Sequence, residues 1–139
     1  DLRAAFRRTL DRTGYDEPSV FGVVATQACY ERGGEWLDEL KGVLDENYAV
    51  LEAAVSRMPG VNLVPLESTY LPWLDCRGLG LSGDELKRLV EKEAKLWLDM
   101  GTMFGLEGAG FVRVNLASPK AVIEDACGRL ERAVTALGE

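Results

Sequence analysis

Residues 35–58 form the longest uninterrupted amphipathic stretch of this sequence. Trp36, Leu37, Leu40, Val43, Leu44, Leu51, Ala54, Val55 and Met58 recur at helical spacing and share one stripe. At about 1.5 Å per residue such a helix runs roughly 36 Å. Pro59-Gly60 ends it. The chain has 139 residues, about one domain. A helix this long in a chain this short predicts an element that bridges two bodies.

The two sides of that helix read differently. Before it, residues 2–13 predict a helix with Leu2, Phe6 and Leu10 on one face and Gly14 as the stop. Residues 19–31, after Pro18, predict a second helix. Val20, Phe21, Val23, Val24, Ala25, Ala28 and Cys29 cover most of its circumference, a pattern expected to be buried on several sides. Gly33-Gly34 breaks it. Neither helix has a sheet of its own to cover. With Asp1 as first residue, the front end predicts a piece of something longer, in which residues 1–33 belong to a neighbouring body.

After the long helix the pattern alternates. Strands are expected at 61–65, 70–77, 96–100 and 111–116, and Pro72 demotes the second to an edge or a bulge. Ser82 and Glu85 have capping-box spacing for a helix to about Lys95. Residues 101–110 are a glycine-rich loop. Ser118 is expected to cap the last helix, with Pro119 at its first position. Ile123, Cys127, Leu130, Val134 and Leu137 form its core stripe. The order α-β-β-α-β-β-α predicts an α+β class: helices packed on a small, mainly antiparallel sheet.

Charge and composition remove several functions. The net charge is −7, all of it in residues 34–139, which disfavours a nucleic-acid partner. Arg3, Arg7, Arg8 and Arg12 lie on one helix face and read as solvated. No run of 18 apolar residues offers a membrane span, and no membrane partner is expected. Cys29, Cys76 and Cys127 are odd in number and form no CxxC, which points to a reducing, cytoplasmic setting. Without histidine, imidazole acid–base chemistry and histidine metal sites are excluded, and no metal is expected.

Three candidate features remain. The run Gly78-Leu79-Gly80-Leu81-Ser82-Gly83 matches G-x-G-x-x-G, with Asp99 near the spacing of a ribose-binding acid. A dinucleotide site also needs a parallel βαβ unit, and a hairpin-like pair follows here instead. A small-ligand or nucleotide-binding module using residues 78–83 stays open as an alternative. Glu67 and Asp75 flank one strand region, but paired carboxylates catalyse only where a pocket separates their proton affinities. In Phe111-Val112-Arg113-Val114-Asn115-Leu116, period-two alternation puts Phe111, Arg113 and Asn115 on one face. A guanidinium there suits a bidentate grip on a carboxylate, or plain exposure to solvent.

Three stretches together resemble the C-terminal portion of fold-type I pyridoxal-phosphate enzymes, in particular the class I/II aminotransferase-like C–S β-lyases of the cystathionine β-lyase type. They are Glu67-Ser68-Thr69-Tyr70-Leu71-Pro72-Trp73-Leu74-Asp75-Cys76-Arg77 with Gly80-Leu81, Gly101-Thr102-Met103-Phe104-Gly105, and Gly110-Phe111-Val112-Arg113-Val114-Asn115-Leu116-Ala117-Ser118-Pro119. Gly22-Val23-Val24-Ala25-Thr26-Gln27 and the run Gly34 to Leu37 also resemble that group. The resemblance implies that residues 1–33 are the tail of a large cofactor-binding domain. Residues 34–139 would be the linking helix and the small domain. It implies that Arg113 binds the substrate α-carboxylate and that Phe104 sits near the mouth of the site. It places the Schiff-base lysine, the phosphate cup and the remaining cofactor contacts upstream of this chain. Lys41, Lys87, Lys92, Lys95 and Lys120 lie on predicted helices without the matching surroundings. Leu98-Asp99-Met100-Gly101 stands where relatives more usually have Asn-Pro-Gly. The expected function is thus a piece of a β-eliminating or transaminating enzyme. It would handle an amino-acid substrate with pyridoxal phosphate in the parent, have no catalytic or cofactor-binding residue of its own, and form a homo-oligomer.

Overall fold

The computed structural model describes residues 1–14 and 18–138. Helix α1 spans Leu2–Thr13, opened by the Asp1 side chain accepting from the Arg3 N–H and closed by left-handed Gly14. Helix α2 spans Val20–Arg32, with the Ser19 hydroxyl accepting from the Gly22 N–H. Helix α3 spans Gly34–Val55 and tightens into a final turn through Met58. The chain divides into two compact units, Asp1–Glu39 and Leu40–Glu139, so the boundary falls inside α3.

The first unit has no core. Neither α1 nor α2 contains a buried residue. The expectation that α2 is buried on several sides is therefore not met in this chain: Val20, Phe21, Val24 and Tyr30 all face solvent. Arg3, Arg7, Arg8 and Arg12 are exposed, as a solvated face requires.

The second unit is an α+β layer. Strands β1 (Asn62–Leu63), β2 (Trp73–Asp75), β3 (Asp99–Met100) and β4 (Phe111–Arg113) form one sheet in the order β1-β2-β4-β3, antiparallel throughout. Between β2 and β4 the pairing outruns the strand limits. Cys76 N–H donates to the Gly110 carbonyl, Val114 N–H to Pro72 and Leu116 N–H to Tyr70. Helix α4 (Gly83–Arg88) continues into a π turn over Leu89–Glu93, and α5 spans Lys120–Thr135. Leu63, Leu74, Val112 and Met100 line up across the four strands on the core face. Leu51, Ala54 and Met58 of the α3 end, Leu86, Leu89 and Val90, and Ile123, Leu130 and Val134 of α5 pack with it. Asn47 is wholly buried, and its amide donates to the carbonyls of Leu116 and Ser118. That ties the chain after β4 to α3.

Several local expectations are corrected. Strand β2 is an inner strand, not an edge. Pro72 lies one residue before it, where its missing N–H breaks no ladder bond while its carbonyl still accepts. The strand expected at 96–100 shrinks to Asp99–Met100, because Leu96 still closes the π turn on Val90 and Lys95 is left-handed. Lys95 is therefore not helical. At α5, Pro119 is itself the cap residue and no side chain caps the helix, so Ser118 does not do so. Leu137 falls in a terminal 3₁₀ turn and is half exposed, outside the core stripe.

Candidate functional site

The sheet face opposite the core carries the candidate site. The register sets Trp73 of β2 directly opposite Arg113 of β4, and Asp99 of β3 opposite Arg113 on its other side. Alternation forces all three side chains onto one face, in a row across three strands. The row is the geometric product of the period-two pattern in Phe111-Val112-Arg113.

Phe104 joins it from the next turn. Gly101–Phe104 is a 3₁₀ turn leaving β3, and Leu106–Gly108 is a second. The backbones of Gly101 and Gly108 press against each other, and a Cβ on either would strike the other's carbonyl. This close pass sends residues 102–107 out as a loop. The Phe104 ring lies 4.3 Å from the Arg113 guanidinium carbon and 5.3 Å, edge-on, from the Trp73 ring. Trp73 is 6.0 Å from the same carbon. Both rings are within cation–π range of the guanidinium.

Arg113 is three-quarters covered, and its charge is answered by Asp99. The Nε and Nη2 groups both donate to one oxygen, Asp99 Oδ2, at 3.1 and 2.7 Å. This is a forked bond to a single atom, not a two-oxygen bidentate pair. The side chain of Arg113 is 25% exposed and that of Asp99 39%. The reading of Arg113 as simply solvent-facing is thus replaced by an aromatic-walled, ion-paired guanidinium.

A second arginine shares the face. Asp75 opposes Phe111, and Arg77 stacks over the Phe111 ring at 4.7 Å. Arg77 Nε and Nη2 take Asp75 Oδ1 and Oδ2 at 2.9 and 2.7 Å, a true bidentate pair. These bonds hold the Asp75 carboxyl down at about 2. Its neighbour Cys76 is buried, which pushes its thiol up to about 12, with the Asp75 charge adding to the shift. Glu67 lies on an exposed loop outside this arrangement, so Asp75 has a cationic partner and not a second carboxylate.

The glycine-rich run serves packing. Gly78 and Gly60 cross so closely that a Cβ on Gly78 would lie 2.6 Å from the Gly60 carbonyl oxygen. Gly80 caps a 3₁₀ turn in left-handed conformation, and Ser82 with Glu85 completes a capping box. Strand β2 is antiparallel to both neighbours, so the parallel unit a dinucleotide fingerprint needs is not present here. Asp99, considered above as a ribose acid, pairs with Arg113. Among the described residues no group of three or more histidine, cysteine, aspartate or glutamate residues could hold a metal, and no helix is long and apolar enough to cross a membrane.

The structure thus brings together the two residues the sequence singles out, Arg113 and Phe104, and adds Trp73 and Asp99. Trp73 lies in one of the stretches that carry the resemblance, and alternation with buried Leu74 puts it on the face of Arg113. Asp99 is marked in the sequence only as a possible ribose acid, and its pairing with Arg113 has no signal until the register of β3 against β4 is known.

No family model matches the chain. Over 134 residues it is 37% identical to cystathionine beta-lyase PatB of Bacillus subtilis, covering 96% of this chain and 35% of that protein. It is 33% identical over 127 residues to protein MalY of Escherichia coli, covering 91% and 33%. The crystal structure of cystalysin from Treponema denticola, which contains pyridoxal 5′-phosphate, superposes with a TM-score of 0.81 at 32% identity, over 86% of this chain and 30% of that one. The chain spans about a third of the length of these relatives. Over most of its own length it is a homologue of the cystathionine β-lyases and of related pyridoxal-phosphate-binding, aminotransferase-like structures, consistent with the C-terminal portion of such an enzyme.

Proposed function

We propose that this chain supplies the substrate-carboxylate-binding part of a pyridoxal-phosphate-dependent C–S β-lyase or aminotransferase-like enzyme. The observation that carries the reading is Arg113, held in a cross-strand row and walled by Phe104 and Trp73. A guanidinium fixed between rings offers a carboxylate a preset pair of donors. Phe104 and Trp73 exclude water from that contact and strengthen it. When bound, the cofactor supplies the electron sink for carbanion chemistry at Cα. The residues of this face do not anchor it: the row contains no amine, and Lys87 and Lys120 are committed to Glu91 and Glu46 elsewhere. The chain's own contribution is therefore orientation of an amino-acid substrate, with the Schiff-base lysine furnished by another part of the enzyme.

The same reading assigns residues 1–33 to the large cofactor-binding domain and residues 34–139 to the linking helix and small domain. The open apolar side chains of α1 and α2, Phe6, Val20, Phe21 and Val24, support this, being surface that a larger body would cover. Without that body the chain is expected to self-associate through residues 1–58. Monodisperse monomer by light scattering at high concentration would contradict that expectation.

Cofactor trapping tests the central reading. The chain is mixed with one equivalent of pyridoxal phosphate, reduced with borohydride and mapped by mass spectrometry. Sparse labelling spread over several lysines is expected. Stoichiometric labelling of one lysine would give this chain a cofactor site of its own and overturn the assignment.

A further inference from the structure

The row across the sheet sets a carboxylate of the chain itself against the cation that a bound carboxylate would use. Asp99 Oδ2 takes the Nε and Nη2 donors, which together form the side-on edge of the guanidinium. That edge is one of the two places where a carboxylate docks with two parallel bonds. A ligand arriving there must expel Asp99. A ligand arriving at the other edge meets the Asp99 charge beside it, so both routes oppose Asp99.

The two partners are unequally free to move. Arg113 is hemmed in by Phe104 at 4.3 Å and Trp73 at 6.0 Å, and is 25% exposed. Asp99 sits on β3, a two-residue strand at the sheet edge, and is 39% exposed. Rotation of one short side chain carries its carboxylate into water without disturbing the ladder. The pair opens from the Asp99 side.

We propose that Asp99 sets the affinity of Arg113 for ligands: an internal carboxylate that competes for Arg113 and must be displaced before a ligand carboxylate binds. This rests on the reading of Arg113 as the carboxylate-binding group. Displacement raises the apparent dissociation constant of every carboxylate by the inverse of the fraction of time Arg113 is free of Asp99. A simple anion with one point of attachment bears that whole cost. An amino acid held at further points offsets it. The factor is common to both, so the pair leaves their ratio of affinities unchanged. It sets a threshold instead, which a singly anchored acid fails to clear at concentrations where a multiply anchored amino acid still binds.

The test uses the full 139-residue chain, labelled with ¹⁵N and ¹³C and titrated with sodium acetate at constant ionic strength. The Arg113 ¹⁵Nε and Asp99 ¹³Cγ signals report the pair directly. In the unaltered chain, acetate should shift both signals, weakly and together. Asp99→Asn keeps the shape and removes the charge. It should bind acetate on the order of 3–10-fold more tightly, the factor of a partly exposed charge-assisted pair. Arg113→Gln should abolish the response with Asp99 or Asn at position 99. Asp99→Ser replaces Asp99→Asn if the latter loses its dispersed spectrum, with the same expectation. A merely structural ion pair would lower the melting temperature without tightening acetate binding. Equal or weaker binding in the Asp99 variants, still lost in Arg113→Gln, would overturn the competition and leave the carboxylate reading standing. Absence of any Arg113-dependent binding in all of these proteins would overturn both.

Discussion

Two adjacent ionisable groups at the end of β2, Asp75 and Cys76, give opposite responses to pH. The Cys76 thiol, raised to about 12 by burial and by the Asp75 charge, stays protonated in the fold after an unfolded thiol has ionised. Above pH 9 the unfolded chain therefore binds fewer protons, and stability falls between about pH 9 and pH 12. Cys76→Ala should flatten that alkaline loss in chemical denaturation curves, whatever it costs at neutral pH. With a thiol reagent at pH 8, exposed Cys29 should react at once and buried Cys76 only on unfolding. The Asp75 carboxyl is lowered to about 2 by its bonds to Arg77. Its contribution is complete above about pH 4 and fades as pH falls towards 2. Arg77→Gln should raise the Asp75 titration, followed by ¹³C NMR, towards but not fully into the ordinary carboxylate range, because the backbone N–H of residue 77 still donates to Asp75 Oδ1. Among single residues, Arg113 is legible in the sequence because alternation alone assigns it to the face opposite Val112. Its partner is not: Asp99 lies 14 positions away, and only the β3–β4 register makes them neighbours.

At the level of elements, the Ser82 cap is readable in the sequence, while the Ser118 cap, the effect of Pro72 and the pairing order are not. The Ser82 hydroxyl and Glu85 carboxylate satisfy one another's backbone N–H groups at the start of α4, a six-residue helix with little else to hold its first turn. Ser82→Ala should cost about 1 kcal/mol in urea unfolding. Gly78→Ala should cost more, about 1–3 kcal/mol, since the added carbon meets backbone and not a yielding side chain. Asn47→Ala removes one of two donors to the buried Leu116 carbonyl, which keeps the Ser118 N–H, and the amide donor to the half-buried Ser118 carbonyl, and should lower stability by about 1–2 kcal/mol. Pro72 misled because its effect depends on which edge of a strand it faces. Proline removes a donor, and here it stands one residue outside β2. The strands are shorter than their sequence pattern predicts for a related reason. Alternation continues past the last ladder bond, so apolar pattern reports face and not pairing.

The molecule as a whole is uneven in stability. Residues from Leu51 to Val134 contribute every fully buried apolar side chain of the core, while α1 and α2 contribute none. Isolated helices of 12 and 13 residues are marginal in water. Amide exchange in dilute solution should therefore show residues 2–32 unprotected and the sheet, α5 and the end of α3 protected. Raising the concentration should protect residues 2–32 if the chain self-associates as proposed. No concentration dependence would leave those helices without a partner in the isolated chain. The α+β class was legible because order and periodicity of elements survive any arrangement. The same periodicity marks the front end as foreign, through a helix with more apolar surface than its neighbours cover.

The close pass of Gly101 and Gly108 has an evolutionary consequence. The feet of the loop tolerate almost nothing, because any side chain there collides with backbone. The tip is the reverse: Met103, Phe104 and Leu106 are exposed and carry none of the core. Drift at the feet is penalised by the fold, whereas drift at the tip is filtered only by what the loop touches. A lineage of such chains can exchange the residues around Arg113 one at a time, sampling new ligands without passing through an unfolded ancestor.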